Sequence, residues 1–245
     1  MSSQSRVSRR DFIKAAGLGA TGTALGATMI TSAQAQEMDW DQQVDVVAVG
    51  SGGAALSAAV GAIDNGASVL LLEKGPVPGG TTAKSGGGAW VPNSHHMQAA
   101  GLSDDRDTFL QYCARVAFPE LYRENSPTYG LYQDTFALFE TFYDNANRVF
   151  KQLDDSGAFP TTMAMSWEDK PAPDYHGQLP ENGGILGRQT SPRNASGGEG
   201  YGGDLVANMS AYVRDHGGEI LSGHRVTRIL INEDGRVIGV EAETP

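Results

Sequence analysis

The segment VDVVAVGSGGAALSAAVGAIDNGASVLLLEK, residues 44–74, restricts the fold more than any other part of the chain. Apolar residues dominate both faces of 44–49, which predicts a buried parallel strand. Gly50, Gly52 and Ala55 follow as G-x-G-x-x-A and open a helix reaching about Asn65, where Gly66 supplies a left-handed stop. Residues 67–74 read as a second buried strand ending in Glu73. Strand, glycine turn, helix, strand and acid arrive in the order of a dinucleotide-binding unit.

Each small residue has a physical task in that unit. Gly50 permits the tight turn, Gly52 lets the backbone approach a pyrophosphate, and Ala55 lets the helix sit close on the sheet. The helix N-terminus offers free N–H groups and a positive dipole to phosphates. Glu73, 23 residues after Gly50, can accept hydrogen bonds from a ribose diol. The plain alternative is close helix packing around a turn that binds nothing.

Directly after the acid comes GPVPGGTTAKSGGGAWVPN, residues 75–93. A nicotinamide domain usually runs from that acid into another helix. Here Gly79-Gly80 and Gly86-Gly87-Gly88 bracket the hydroxyls of Thr81, Thr82 and Ser85, a density of amides and hydroxyls that suits a second stretch of a long cofactor. A flexible surface loop is the alternative, and Trp90 and Val91 argue against it.

Together, VDVVAVGSGGAALSAA and GGTTAKSGGGAWVPN resemble the FAD-dependent flavoproteins of the fumarate reductase/succinate dehydrogenase superfamily. PDYHGQLPENGGILGR, residues 173–188, is most similar to the 3-ketosteroid dehydrogenases, with an Asp–Tyr pair, a Pro/Gly-rich stretch and a Gly-Arg. The resemblance implies an α/β fold: an FAD/NAD(P)-binding, Rossmann-like parallel sheet with a helical insertion and a β-hairpin. It implies non-covalent FAD, with the pyrophosphate at Gly50, Ser51, Gly52, Gly53, Ala54 and Ala55, and the ribose at Glu73 and Lys74. Gly80, Thr81, Thr82, Ala83, Ser85, Gly86, Gly87 and Gly88 then lie along the ribityl and ring portion, and Val226 meets the adenine end. The resemblance covers nearly all of residues 43–243 but only the N-terminal part of the family pattern; the C-terminal part of the fold and the capping domain are expected to be absent.

Outside the motifs, residues 103–118 read as a helix with Ser103 as N-cap and Asp104 and Asp105 in its first turn. Cys113, the single cysteine, falls on its apolar face and reads as core; one cysteine permits neither an intrachain disulfide nor a thiolate metal cluster. A longer helix is expected over 128–155, stopped by Gly157. Residues 157–202 are rich in Pro, Gly, Asn and Ser and read as a loop over the cofactor. From Gly203 an amphipathic helix runs to Gly217-Gly218, and residues 219–243 alternate like a hairpin turning at Glu233-Asp234-Gly235. His95 and His96, being adjacent, are expected to point apart; no histidine set makes a metal pattern.

The first 35 residues stand apart. SRRDFIK is a twin-arginine pattern, a weakly apolar run from Ala15 to Ile30 follows, and SAQAQ offers cleavage after Ala35. At about 16 residues, the run is short for a membrane span of about 20. The organisation expected is a leader at 1–35, an FAD-binding βαβ segment at 36–102, a helical and loop insertion at 103–202, and a return to the FAD-binding domain at 203–245. Export machinery of the twin-arginine type is the implied partner, and a periplasmic or secreted location follows. Losing the leader leaves 14 basic and 28 acidic residues, a net of −14, which repels nucleic acid and anionic membranes.

The chemistry implied by the resemblance is hydride exchange at a carbon–carbon bond. In a dehydrogenase, a base takes a proton beside a ketone, and Tyr175 occupies the position resembling an active-site tyrosine. In a fumarate reductase-like enzyme, reduction of an enoate needs arginines, with Arg188 and Arg193 candidates by charge alone. Either needs a small-molecule substrate, steroid ketone or enoate, and a separate electron acceptor or donor. A non-catalytic FAD-binding fragment is the third reading.

Overall fold

The computed structural model describes residues 39–244; residues 1–38, where the expected leader falls, lie outside the described residues. Strand β1 (Val46–Val49), helix α1 (Gly53–Asp64) and strand β2 (Val69–Glu73) form the expected βαβ unit, with β1 and β2 parallel. Gly66 takes φ +78°, the left-handed stop after α1. All five residues of β2 are buried, but β1 departs from expectation: Val47 and Val49 are 36% and 58% exposed. Among the described strands β1 pairs with β2 alone, and an apolar run does not report how many layers cover it.

The third strand of this sheet corrects the reading of residues 219–243 as one hairpin. β6 (Glu219–Ser222) joins β2 in parallel, giving the order β1-β2-β6. Only β7 (Arg225–Ile231) and β8 (Val237–Glu243) make the hairpin. Before β6, helix α5 (Gly202–Asp215) returns across the sheet and packs on α1. Leu56, Ala59 and Val60 of α1, Val69 and Leu71 of β2, and Val206, Met209 and Val213 of α5 share one core with Phe159. Each larger aliphatic buried there contributes about 1.5–3 kcal/mol.

The insertion contains more regular structure than its composition shows. β3 (Ala89–Trp90), β4 (Thr161–Met163) and β5 (Gln189–Pro192) form an antiparallel sheet in the order β3-β5-β4, so residues 157–202 are not a structureless loop. Strands of two to four residues carry no readable period, and the β3–β5 pairing joins residues about a hundred apart, Ala89 with Thr190. Helix α2 (His95–Ala99) follows β3 and is capped by the Ser94 hydroxyl.

Helix α3 (Arg106–Ala117) begins later than expected, and its N-cap is Asp105, whose carboxylate accepts from Thr108 N at 2.9 Å, in place of Ser103. Asp104 is thereby freed from the helix. Helix α4 (Gln133–Asp155) starts five residues after the expected position and ends before Gly157, at φ +77°. Phe109, Leu110, Tyr112 and Cys113 of α3 form a second core with Leu131 and Phe136. Among the described residues no helix is long and apolar enough to cross a membrane.

Candidate functional site

The turn between β1 and α1 has the shape its sequence demands. Gly50 takes φ +94°, which a side-chain-bearing residue rarely adopts. Gly52 is the N-cap of α1 and supplies no side-chain hydrogen bond, so the first-turn amides face outward from the turn. Of these, Gly53 N donates to Thr82 Oγ1 at 3.0 Å. Ala54 is exposed, and Ala55 is half-buried against the core. A Cβ on Gly52 would stand 3.3 Å from Thr82 Oγ1, so any side chain there must push back the hydroxyl that accepts from Gly53 N.

Ser51 ties the turn to the second glycine run. Its buried hydroxyl donates to Glu73 Oε2 at 2.5 Å and accepts from Gly79 N at 2.9 Å. Thr82, Ala83 and Lys84 form one 3-10 turn, with exposed Thr81 preceding it and Gly80 at φ +51°. Ser85 Oγ closes on Thr82 O at 2.8 Å and accepts from Gly87 N at 3.1 Å. Gly87 takes φ +69°, and a Cβ there would lie 2.5 Å from Gly202 N and 2.7 Å from Gly202 Cα. Gly88 lies against Thr190 O, and Gly86 has open space around it. The two glycine clusters expected to share one long ligand are thus joined, by Ser51 and by Thr82.

Glu73 is buried, and Gly75 N donates to its Oε1 at 2.7 Å. Burial disfavours the charged carboxylate, yet the bonds from Ser51 and Gly75 outweigh it and hold its pKa below the usual value. Each oxygen keeps a second lone pair for a ribose hydroxyl. A carboxyl more acidic folded than unfolded adds stability above about pH 4.5 that is lost as pH falls through the folded pKa. Denaturant midpoints should therefore fall less steeply in Glu73→Gln than in the parent as pH drops from about 5 to about 3. Equal slopes would remove Glu73 from the acid transition. Lys74 beside it is exposed. Beyond β6, Gly223 N and His224 N donate to Gly75 O at 2.9 Å and Glu73 O at 2.8 Å, which brings half-buried Val226 to the end of β2 beside the acid.

The second glycine run borders a cavity of about 620 Å³. Ser85 to Gly88 form one side; Trp90, Tyr112, Val116 and Phe139 form much of the wall, and Asp174, Tyr175 and His176 the rim. Cys113 also faces it, and burial pushes its thiol up to about 12. Tyr175 is held by its backbone: its N–H donates to Asp174 Oδ1 at 2.8 Å, and its carbonyl accepts from Tyr112 Oη and Asn182 Nδ2, both at 2.9 Å. The residue is 71% exposed at the rim. Sequence alone does not bring Trp90, Tyr112 or Phe139 to this place; the one local signal is an aromatic two residues after a glycine run.

Arg188 and Arg193 do not supply the carboxylate clamp their charge suggests. Arg188 is 1% exposed, grips Asp104 through Nε and Nη2 at 2.8 and 2.7 Å, and reaches Asp174 Oδ2 through Nη1 at 2.7 Å. The rings of Phe109, Tyr112 and Trp90 surround its guanidinium at 5.0–5.4 Å. Burial opposes its charge, but the two aspartates prevail and raise its pKa above normal. Arg193 donates to the carbonyls of Thr161 and Gly197, both at 2.9 Å.

The histidines at 95 and 96 also depart from expectation. Both imidazoles turn to Asp154, with His95 Nε2 at 2.8 Å and His96 Nε2 at 3.5 Å from the same Oδ2. Adjacent helical residues diverge by about 100° at the backbone, but side-chain rotation at the start of α2 brings the ring centroids to 4.0 Å.

Residues 45–245 match the model of the FAD-binding domain family. An NADH:fumarate oxidoreductase of Klebsiella pneumoniae is 28% identical over 190 residues, covering 78% of this chain and 17% of that protein. A 3-oxosteroid 1-dehydrogenase of Rhodococcus opacus is 29% identical over 217 residues, covering 82% of this chain and 40% of that protein. Among solved structures, a 3-ketosteroid-delta4-(5alpha)-dehydrogenase of Rhodococcus jostii shares the fold at a TM-score of 0.62 and 21% identity, over 85% of this chain and 44% of that one. The chain therefore spans less than half the length of these relatives.

Proposed function

The chain belongs to the FAD-binding domain family, and from that premise we propose that it is the nucleotide-binding part of an oxidoreductase acting on carbon–carbon bonds, a dehydrogenase working beside a ketone. The first-turn amides of α1, Gly52 and Glu73 suit the diphosphate and a ribose; the run Thr82–Gly88 suits the remaining length of the cofactor. When bound, the flavin supplies the hydride acceptor. The observation that carries the ketone reading is the cavity beside Gly86–Gly88. Its wall is aromatic and aliphatic, and none of its lining residues is Arg or Lys. A ligand pocket of this size and polarity suits a neutral, ring-shaped ketone more than a dicarboxylate.

In this reading a ketone gives up a proton from the carbon next to its carbonyl and a hydride from the neighbouring carbon, and leaves as an enone. Tyr175 Oη, as the phenolate, is the proposed proton acceptor and ends the step as the neutral phenol, with the backbone of its residue fixed by Asp174, Tyr112 and Asn182. Electrons then leave to a separate acceptor, and we propose a location outside the cytoplasm, reached by the twin-arginine route that SRRDFIK suggests.

The test uses the full-length polypeptide. Anaerobic addition of a 3-keto steroid should bleach the flavin's visible absorbance, and Tyr175→Phe should keep the flavin yet lower that rate by about 10²–10⁴-fold. Unchanged bleaching in Tyr175→Phe removes the base from this position. Reoxidation of chemically reduced flavin by fumarate, without bleaching by ketones, supports the reductase instead. Gly52→Val should purify colourless, because its methyls displace Thr82 Oγ1 from Gly53 N; a fully yellow variant overturns the nucleotide assignment.

A further inference from the structure

We propose that His95, His96 and Asp154 form a binding site for one divalent transition metal ion of the zinc class, separate from the nucleotide site. The donor set is two imidazole nitrogens and one carboxylate oxygen, drawn from the first turn of α2 and the last turn of α4, and all three ligand atoms lie within 4.8 Å of one another. Two imidazoles with a carboxylate is a donor set that zinc takes with water in the remaining position, while magnesium and calcium prefer oxygen alone.

Zinc–ligand bonds of about 2.0–2.1 Å at a tetrahedral angle separate neighbouring ligand atoms by roughly 3.4 Å. His96 Nε2 and Asp154 Oδ2 already stand 3.5 Å apart. His95 Nε2, at 2.8 Å from the same oxygen, must retreat by only about half an ångström, which imidazole rotation supplies. The outer atoms of the ligands are held as a metal site requires. Asn147 Oδ1 lies 3.4 Å from His95 Nδ1 and accepts from His95 N at 2.7 Å; Thr161 N donates to Asp154 Oδ1 at 3.0 Å, while Oδ2 faces the histidines and accepts from Thr161 Oγ1 at 3.2 Å. Thr161 Oγ1, 2.8 Å from His96 Nε2, borders the open coordination position.

The three side chains are about one-fifth exposed, so an ion has a path from solvent. The opposing feature is Arg193, whose guanidinium lies near His96 but is committed to the carbonyls of Thr161 and Gly197. Bound there, the ion staples α2, just downstream of β3, to the end of α4.

Cobalt(II) serves as the spectroscopic probe on chelator-treated, full-length protein. About one equivalent should bind with the intense visible bands of a tetrahedral N/O site, zinc should displace it, and saturating zinc should raise Tm by roughly 5 °C. Asp154→Asn keeps an acceptor for Thr161 N and should stay folded, and His96→Gln likewise. Each should weaken cobalt binding beyond the ~10–100-fold that loss of a supporting contact costs. The double variant His216→Gln/His224→Gln should bind as the parent does. Cobalt spectra that are absent in the parent, persist in Asp154→Asn, or vanish in the double variant overturn the proposal. Flavin content is scored separately, so the nucleotide assignment stands or falls on its own.

Discussion

One methyl group added at Gly202 is expected to empty the protein of flavin and to lower Tm by roughly 6–12 °C, the equivalent of about 3 kcal/mol. The same methyl at the next residue, Gly203, should leave the flavin in place and raise Tm by about 2 °C. The contrast follows from what each Cβ meets. On Gly202 it overlaps the Thr82 carbonyl oxygen outright and stands 2.8 Å from Ser85 O and Ser85 Oγ. These are chiefly backbone groups of the second glycine run, and no rotamer change moves them aside. Gly202 N also donates to Ser85 O at 3.0 Å, and Gly87 packs on the same peptide from the other side. Opening that contact therefore drags Thr82 off Gly53 N and disturbs both glycine clusters. A Cβ on Gly203, by contrast, stands 3.8 Å from Ala83 O, an ordinary contact, and alanine favours the helix. Thermal unfolding and the ratio of flavin to protein absorbance check both variants. A Gly202→Ala protein that retains its flavin would show that α5 does not brace the second glycine run.

That contact also marks where the sequence stops being legible. Gly50, Gly52, Ala55, Gly66 and Glu73 are readable because their roles are local: each fixes a turn, a helix end or a strand end within about 30 residues. Gly202 gives no such sign. It reads as an unremarkable glycine at the start of a helix, and its constraint comes from Thr82 and Ser85, more than a hundred residues earlier. The same holds for β3, β4 and β5, whose two to four residues each pair across long separations. β6 was hidden by another cause: residues 219–222 sit directly before the hairpin and share its alternation, so nothing local separates a third parallel strand from a hairpin arm. The apolar residues of β1 report strand propensity but not the number of neighbouring layers.

Charge misleads in a comparable way. Asp104 resembles a first-turn helix acid and Arg188 a free cation, yet 84 residues apart they form an ion pair as buried as any described in the chain. His95 and His96 read as divergent because Asp154, 59 residues on, is invisible to a local argument. Positions of ligands and clamps depend on side-chain direction and partner, and those are set by the packing of α2, α3 and α4.

The pair at Asp104 and Arg188, with Asp174, carries the second large effect. Arg188→Met should destabilise the fold by about 3–5 kcal/mol, because removing one member of a buried ionic set leaves the others charged and unpaired. Both aspartate side chains are 2% exposed. Asp104 keeps only the Asn93 amide, at 3.3 Å, and Asp174 keeps Trp90 Nε1 and Tyr175 N. Two buried carboxylates without a cation keep their desolvation cost and lose the charge that offset it. Adding Asp104→Asn and Asp174→Asn to Arg188→Met should recover much of the loss at neutral pH, since the charges themselves are then gone. Arg188→Lys should rescue little, because one ammonium cannot reproduce a fork that holds two carboxylates between three aromatic rings. Asp174 also fixes Trp90 and the Tyr175 backbone, so the variants that fold should bind cavity ligands more weakly even where flavin content is unchanged. If Arg188→Met melts like the parent at every pH, the guanidinium is a bystander, and the rim of the cavity must owe its shape to packing alone.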